Sequence, residues 1–282
     1  MSRTALVGTA RLRTSSFCHL MLANGVTIFR KVSYILSSND RIGIRLSMNG
    51  FDSTILSVLN AFVHRSWSFD AVVVVLEGNR LLKGGIIMAL FCWAWIKLGE
   101  EGRKNREILL YGMLVCAPTV LLARGLALLL PFRARPLHNP ELHYRLAYTL
   151  DPNALEKWSS FPSDHATLYF ALAITLFFVS RRWGGIALFY VFFAICLPRV
   201  YLGLHYPTDI IAGAVLGIIA AFTVHLLWLR KLVAGTAMRW RDAHPAPFYV
   251  SLFLLAFENG ELFESLRAMA KLAVKFTQVL LV

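Results

Sequence analysis

The sequence predicts an all-α, polytopic bundle of about five to six transmembrane helices, with amphipathic helices at the membrane surface. Of the 282 residues, 57% are hydrophobic and 16% are charged, whereas soluble domains have about 25% charged residues. The mean hydropathy is +0.59, and the apolar residues form runs that approach the roughly 20 residues needed to cross a bilayer. This composition excludes an ordinary soluble globular protein, a disordered chain and a nucleic-acid-binding tail protein.

The first 82 residues divide into two parts. Residues 1–47 are basic and rich in Ser, a composition that suits a transit peptide or an extension upstream of a true start at Met48; we favour the start at Met48. Residues 48–82 hold two amphipathic stretches, at 55–63 and 69–76, which are too short to span a bilayer. We expect them to lie at the membrane interface.

The rest of the chain contains the membrane spans. Residues 83–230 form the expected catalytic membrane domain, with five apolar segments at 84–98, 108–130, 166–179, 184–197 and 210–229. Residues 231–282 add a short apolar segment at 247–257, and the sequence does not decide whether this segment spans. Beyond it, 266–282 has the helical spacing of an interfacial amphipathic helix.

The charge distribution predicts the orientation. The net charge is +13, and the basic residues lie mostly between apolar runs. This placement favours anionic lipid headgroups and phosphate-bearing substrates as partners, and no nucleic acid. The connections 97–107, 181–183 and 230–241 carry ten Lys and Arg, against five in 131–164 and 198–208. Because basic loops stay in the cytoplasm, the second group of loops is expected on the extracytoplasmic side.

Three short motifs lie in that second group of loops. They are Pro-Phe-Arg-Ala-Arg-Pro at 131–136, Phe-Pro-Ser-Asp-His at 161–165, and Pro-Arg at 198–199 followed by His205 and Asp209. Because consecutive spans alternate in direction, all three motifs are expected at the same membrane depth.

The residue types in these motifs suit phosphoryl chemistry. Arginine offers a permanently charged, planar fork of donors to phosphate oxygens. Two histidines can act as nucleophile and proton donor. Asp209 lies one helical turn beyond His205, where its carboxylate can hold the imidazole in one tautomer.

The order Arg-Pro, Pro-Ser-x-His and Arg-x5-His-x3-Asp resembles the type 2 phosphatidic acid phosphatase and vanadium haloperoxidase superfamily, and its bacterial undecaprenyl-diphosphate phosphatase branch in particular. The resemblance implies an enzyme with no metal or other cofactor, in which His205 attacks phosphorus and forms a phosphohistidine. It implies that Asp209 orients His205 and that His165 protonates the leaving oxygen. It also implies that the phosphoryl oxygens are bound by Arg135, Arg199, Ser163 and backbone amides near Asp164.

Three positions depart from the family pattern. Leu128 stands where the family has Lys, and we expect Arg133, or Arg124 one helical turn before Leu128, to supply the missing cation. Asp164 stands where many members have Gly, and it is interpreted as an N-terminal helix cap beside the phosphate site. Pro198 replaces a usual Ser.

The sequence therefore predicts a phosphatase of the bacterial plasma membrane that hydrolyses a lipid phosphate or diphosphate at the extracytoplasmic surface, best assigned to undecaprenyl diphosphate. A phosphatidylglycerophosphate or phosphatidate phosphatase is the alternative within the family. A soluble haloperoxidase is disfavoured by the apolar spans. A non-catalytic membrane scaffold or lipid-transport protein is the alternative from another class. The oligomeric state is left open.

Overall fold

Every regular element among the described residues is a helix. The computed structural model describes residues 49–99 and 102–266, together with 268, 269 and 272. The expectations for residues 1–47, and most of the amphipathic helix expected at 266–282, lie outside the described residues.

The two amphipathic stretches near the start of the chain are short, capped helices. Helix α1 (Gly50–Asn60) begins at Asn49, whose side chain accepts a hydrogen bond from the Asp52 amide at 2.7 Å. Helix α2 (Trp67–Gly78) begins at Ser66 in the same way. Such caps satisfy backbone amides that have no partner inside the helix, so the local sequence fixes where both helices start. Their position at the membrane interface stays a prediction.

All five predicted apolar segments are helical. A π-helical turn (Leu81–Gly85) leads into α3 (Ile86–Lys97), and α4 (Arg103–Leu129) follows. After a long connection come α5 (Asp164–Val179), α6 (Arg181–Tyr190), a second π-helical stretch (Val191–Cys196), α7 (Leu197–Tyr201) and α8 (Pro207–Phe222). The chain continues through α9 (Leu227–Arg230), α10 (Thr236–Ala243) and α11 (Pro245–Gly260).

Three helical stretches of the described chain are long and apolar enough to cross a membrane: Arg103–Leu129, Arg181–Tyr201 and Pro207–His225. Helix α5 has the composition of a span but only 16 residues, because Ser180 adopts an extended backbone and ends it. Helix α3 with its π-helical turn also stays below 18 residues. The undecided segment at 247–257 lies within the 16-residue helix α11.

Helix α5 lies at the centre and packs against α4, α6 and α8. A Cβ atom on Gly213 would lie 2.3 Å from the Ser163 carbonyl oxygen, and one on Gly217 would lie 2.2 Å from that of Thr167. Glycine is therefore required for α5 and α8 to approach this closely. Moving four residues along α8, from Gly213 to Gly217, moves the contact four residues in the same direction, from Ser163 to Thr167 in α5. Helices α5 and α8 therefore run parallel, and their N-termini lie at the same end of the bundle.

Helix α4 runs in the opposite direction. Its Gly112 packs against Thr175 near the end of α5, whereas its Arg124 reaches Asp164 at the start of α5. The C-terminal end of α4, the connection that follows it and the N-termini of α5 and α8 are thereby brought together. This is the convergence that the alternation of spans predicts for the three motifs.

Candidate active site

A cavity of about 650 Å³ lies at this end of the bundle. Its walls combine the predicted motif residues with residues from both ends of the described chain. The lining side chains that carry charge or can transfer a proton are Glu77, Arg80, Lys83, Arg124, Arg135, Asp164, His165, Tyr169, Arg199, His205, Glu261 and Glu264. The structure thus brings Arg135, His165, Arg199 and His205 together on one cavity, although they come from three separate segments.

The protonation of His205 is set by its neighbours. Its Nδ1 lies 2.9 Å from the carbonyl oxygen of Ser160. A carbonyl oxygen can only accept, so Nδ1 carries the proton and donates it. Nε2 then holds a lone pair, which accepts a hydrogen bond from Nη1 of Arg135 at 3.2 Å. Burial lowers the pKa of His205 below the ordinary value of 6.5, and the charge of Arg135 lowers it further. A neutral imidazole with an unprotonated Nε2 has the form that a nucleophile requires.

Asp209 supports His205 from behind the cavity, and it does not line the cavity itself. Its Oδ2 is 3.6 Å from Nδ1 of His205 and accepts a hydrogen bond from the Tyr206 amide at 2.8 Å. Its other oxygen, Oδ1, accepts a hydrogen bond from Arg133 at 2.5 Å. Asp209 therefore fixes the turn that leads from His205 into α8, while the Ser160 carbonyl makes the closer contact to the imidazole.

Two buried arginines supply positive charge to the cavity. Arg135 is held by a hydrogen bond to the Leu204 carbonyl, and burial lowers its pKa to about 10, so it is charged at neutral pH. Arg199 is buried, and its Nη2 donates to Oε1 of Glu77 at 2.6 Å. The buried Nε atoms of Arg124, Arg135 and Arg199 find no acceptor among the residues that the structure describes. All three guanidinium groups line the cavity, and their positive charge favours an anion there.

His165 is held by the acid that precedes it. Its Nδ1 is 3.0 Å from Oδ1 of Asp164, which also accepts from the His165 amide at 2.9 Å. The second carboxylate oxygen of Asp164 pairs with Arg124. The N-cap of α5 is Ser163, whose hydroxyl accepts from the Ala166 amide at 3.4 Å. The interpretation of Asp164 as the cap is therefore wrong, because Asp164 is the first residue of the helix and its carboxylate is bound to two side chains.

Two predicted phosphate ligands do not line the cavity. Ser163 is fully buried in its capping role. Arg133, the first candidate to replace the family Lys, donates to Asp52 at 2.8 Å and to Asp209 at 2.5 Å. Its guanidinium is therefore used in holding α1 to the start of α8. Arg124, the other candidate, does line the cavity, although it is paired with Asp164.

The sequence patterns missed three features of the site. Glu77 lies in the last turn of α2 and Lys83 in the π-helical turn that follows, and both lie outside the three motifs. The Ser160 carbonyl is a backbone group with no sequence signature. The position of Lys83, before Gly84, Gly85 and an apolar run, is only a weak signal for a site residue. A Lys at such a position usually marks the end of a membrane span.

No group of three or more His, Cys, Asp or Glu side chains that could hold a metal ion occurs in the part of the chain described here.

Three curated relatives share similarity with long stretches of the chain. The bacitracin transport permease protein BcrC of Bacillus licheniformis is 29% identical over 125 residues, 43% of this chain and 56% of the relative. The undecaprenyl-diphosphatase BcrC of Bacillus subtilis strain 168 is 27% identical over 170 residues, 60% of this chain and 79% of the relative. The lipid A 1-diphosphate synthase of Escherichia coli strain K12 is 29% identical over 140 residues, 49% of this chain and 57% of the relative. The matches thus span little more than half the length of two of these relatives.

The family comparison covers the helices that carry the motifs. Residues 108–232, from α4 to the turn after α9, match the model of the PAP2 superfamily. This segment includes Arg135, His165, Arg199, His205 and Asp209. Through this segment, which is less than half of the chain, the protein is similar to the PAP2 superfamily.

Proposed function

We propose that this protein is a membrane lipid phosphatase that hydrolyses a phosphate or diphosphate ester through a phosphohistidine at His205. The observation that carries the proposal is the grouping of two imidazoles with Arg135 and Arg199 on one cavity, with Nε2 of His205 in its lone-pair form. The cavity has the size of an ordinary small-ligand site, which is about 300–1,000 Å³.

The first half-reaction transfers the phosphoryl group to the protein. Nε2 of His205 attacks phosphorus, so a P–N bond forms while the P–O bond to the lipid breaks. His165 enters this step as the imidazolium: its Nδ1–H stays donated to Asp164, and the proton on Nε2 goes to the leaving oxygen. Arg135 and Arg199 neutralise the negative charge on the non-bridging oxygens, because guanidinium groups in a site shielded from water stabilise charge that spreads over these atoms.

The second half-reaction returns the protein to its starting form. A water molecule attacks the phosphohistidine and gives its proton to His165. The P–N bond breaks, inorganic phosphate leaves, and Nε2 of His205 regains its lone pair. His165 therefore acts first as an acid and then as a base.

Undecaprenyl diphosphate is the substrate that we propose, with undecaprenyl phosphate as the product. The similarity to the Bacillus subtilis undecaprenyl-diphosphatase supports this choice. Phosphatidylglycerophosphate and phosphatidate remain alternatives, because the same arginines and histidines would bind their phosphate groups. One relative is named as a transport permease. A non-catalytic transport role is therefore the alternative function, from another class, for this chain.

The extracytoplasmic face of a bacterial plasma membrane is the proposed place of the reaction. The loops that carry the motifs hold five basic residues, against ten in the loops of the opposite face. Because the cytoplasmic loops are the more basic ones, this difference supports a cavity that opens to the outside.

Phosphate release by the purified protein in detergent tests the function. We expect a polyprenyl diphosphate to be hydrolysed faster than phosphatidate or phosphatidylglycerophosphate. We also expect an acid-labile phosphoryl group on the wild-type protein, and no release from His205→Ala. His244→Ala is the matched control, since His244 is exposed and lies away from the cavity. Equal activity of His205→Ala and wild type would refute the mechanism, and an inactive wild type would favour the scaffold or transport role.

A further inference from the structure

Two oppositely charged side chains from outside the family segment reach into the cavity. Glu77 lies in the last turn of α2 and Lys83 in the π-helical turn before α3. Both line the cavity together with His165 and His205, and both precede residue 108, where the match to the family begins. Their presence is therefore a property of this chain's tertiary structure that the motifs do not predict.

The Glu77 carboxylate lies between two cations. Its Oε1 accepts a hydrogen bond from Arg199 at 2.6 Å and lies 3.8 Å from Nζ of Lys83. The side chains of Glu77 and Lys83 are 19% and 13% exposed. Burial opposes the charged form of Glu77, but Arg199 and then Lys83 outweigh it and keep the pKa of Glu77 below its ordinary value. An ionised carboxylate thus contacts Arg199, one of the two arginines proposed to bind phosphate.

Three other cations in or near the cavity each pair with acids that Arg199 does not contact. Arg124 pairs with Asp164, Arg133 pairs with Asp52 and Asp209, and Arg80 pairs with Glu261 and Glu264. Leu128, at the position where a Lys would be expected, is more than half exposed. Among the basic residues of the described cavity, Lys83 shares its acid, Glu77, with Arg199. A phosphate oxygen that replaces this carboxylate would contact both cations.

We propose that Lys83 is a phosphate-binding residue of this cavity, and that Glu77 holds Lys83 and Arg199 until an oxygen of the phosphate group takes the place of its carboxylate. The proposal rests on the proposed function in requiring that the cavity binds phosphate. It assigns a third phosphate-binding cation, beside Arg135 and Arg199, to a segment that precedes residue 108. It also makes Glu77 a competitor of the ligand, because its carboxylate and a phosphate oxygen use the same donors.

The two residues should have opposite effects on affinity, which a purely structural role would not produce. We expect Lys83→Gln to weaken the binding of inorganic phosphate by about tenfold or more, the scale of one lost charge-assisted hydrogen bond. Lys83→Arg should restore most of the affinity, because it restores the charge. Glu77→Gln should tighten binding by several-fold, because the competing negative charge is removed. Lys97→Gln is the control, since Lys97 lies at the far end of α3, exposed and over the ring of Trp93.

Calorimetric titration of the full-length protein in detergent with inorganic phosphate measures these affinities, and turnover of a polyprenyl diphosphate is measured separately. A titration with the lipid present distinguishes the sources of the anion, since a lipid phosphate bound in the same cavity should compete with free phosphate. If wild type neither binds phosphate nor releases it from lipid, the proposed function fails. If wild type binds phosphate and Lys83→Gln binds it equally well, only the role of Lys83 fails. Weaker binding by both Lys83→Gln and Glu77→Gln would overturn the proposal too. If Lys83→Gln does not fold, as judged by thermal unfolding, the affinity of Glu77→Gln decides the outcome.

Discussion

Replacing Arg133 with methionine removes a guanidinium that joins two separate helices. Nη2 donates to Asp52 of α1 at 2.8 Å, and Nη1 donates to Asp209 of α8 at 2.5 Å and to Thr208 at 2.9 Å. The guanidinium also lies over the ring of Tyr206, 3.9 Å from its centroid. Methionine keeps the length and apolar character of the side chain, so the variant isolates the loss of the charge and its hydrogen bonds.

The expected cost follows from the two acids left behind. The side chains of Asp52 and Asp209 are completely buried, and breaking a buried ion pair costs about 3–5 kcal/mol because a charge remains without a partner. Asp52 keeps hydrogen bonds from the Thr208 amide and hydroxyl, and Asp209 keeps one from the Tyr206 amide. We therefore expect the lower end, about 3 kcal/mol. At about 2–4 °C per kcal/mol for a chain of this size, the unfolding temperature should fall by roughly 6–12 °C.

Thermal unfolding in detergent, combined with phosphate titration, checks this expectation. Arg133→Met should lower the unfolding temperature, and adding Asp52→Asn should recover part of the loss because one unpaired charge disappears. The phosphate affinity of the folded variant should stay close to that of wild type, since Arg133 does not line the cavity. An unchanged unfolding temperature together with a tenfold weaker affinity for phosphate would refute the reasoning and make Arg133 a phosphate ligand.

Three further predictions concern the nucleophile, the helix packing and the orientation. Burial lowers the pKa of His205, so the acid limb of the pH profile of kcat/KM should lie below pH 6.5. Arg135→Gln should move this limb to higher pH, because it removes a nearby positive charge; acid limbs that coincide in the wild type and the variant would contradict this. Gly217→Ala should lower the unfolding temperature and the activity, because its Cβ would lie 2.2 Å from a backbone oxygen of α5, whereas Gly185→Ala meets nothing within 4 Å and should do neither. Lys157→Cys, in a variant of the protein whose own cysteines have been replaced, should react with a membrane-impermeant maleimide in intact cells. Reaction only after the cells are permeabilised would place this loop in the cytoplasm.

Local sequence was sufficient to predict the helices and part of the site. The apolar runs predicted all five helical segments of the 83–230 region. A run buried in a bilayer or a core must satisfy its backbone hydrogen bonds internally, and a helix does so. The exact helix lengths were less predictable, since α4 begins at Arg103, five residues before the predicted apolar segment. The alternation of the spans was enough to bring His165, Arg199 and His205 to one end of the bundle.

Roles that depend on distant partners were decided only by the tertiary structure. Arg133 and Arg135 lie two residues apart in the same motif, yet Arg133 contacts Asp52, 81 positions away, while Arg135 lines the cavity. Arg199 contacts Glu77, 122 positions away. The sequence by itself determined which side chains have the chemistry that phosphoryl binding and transfer would require, because residue type and helical spacing are local properties. Which of the cations face the cavity and which are bound to buried acids was settled by packing, since that depends on the acids that other helices bring near.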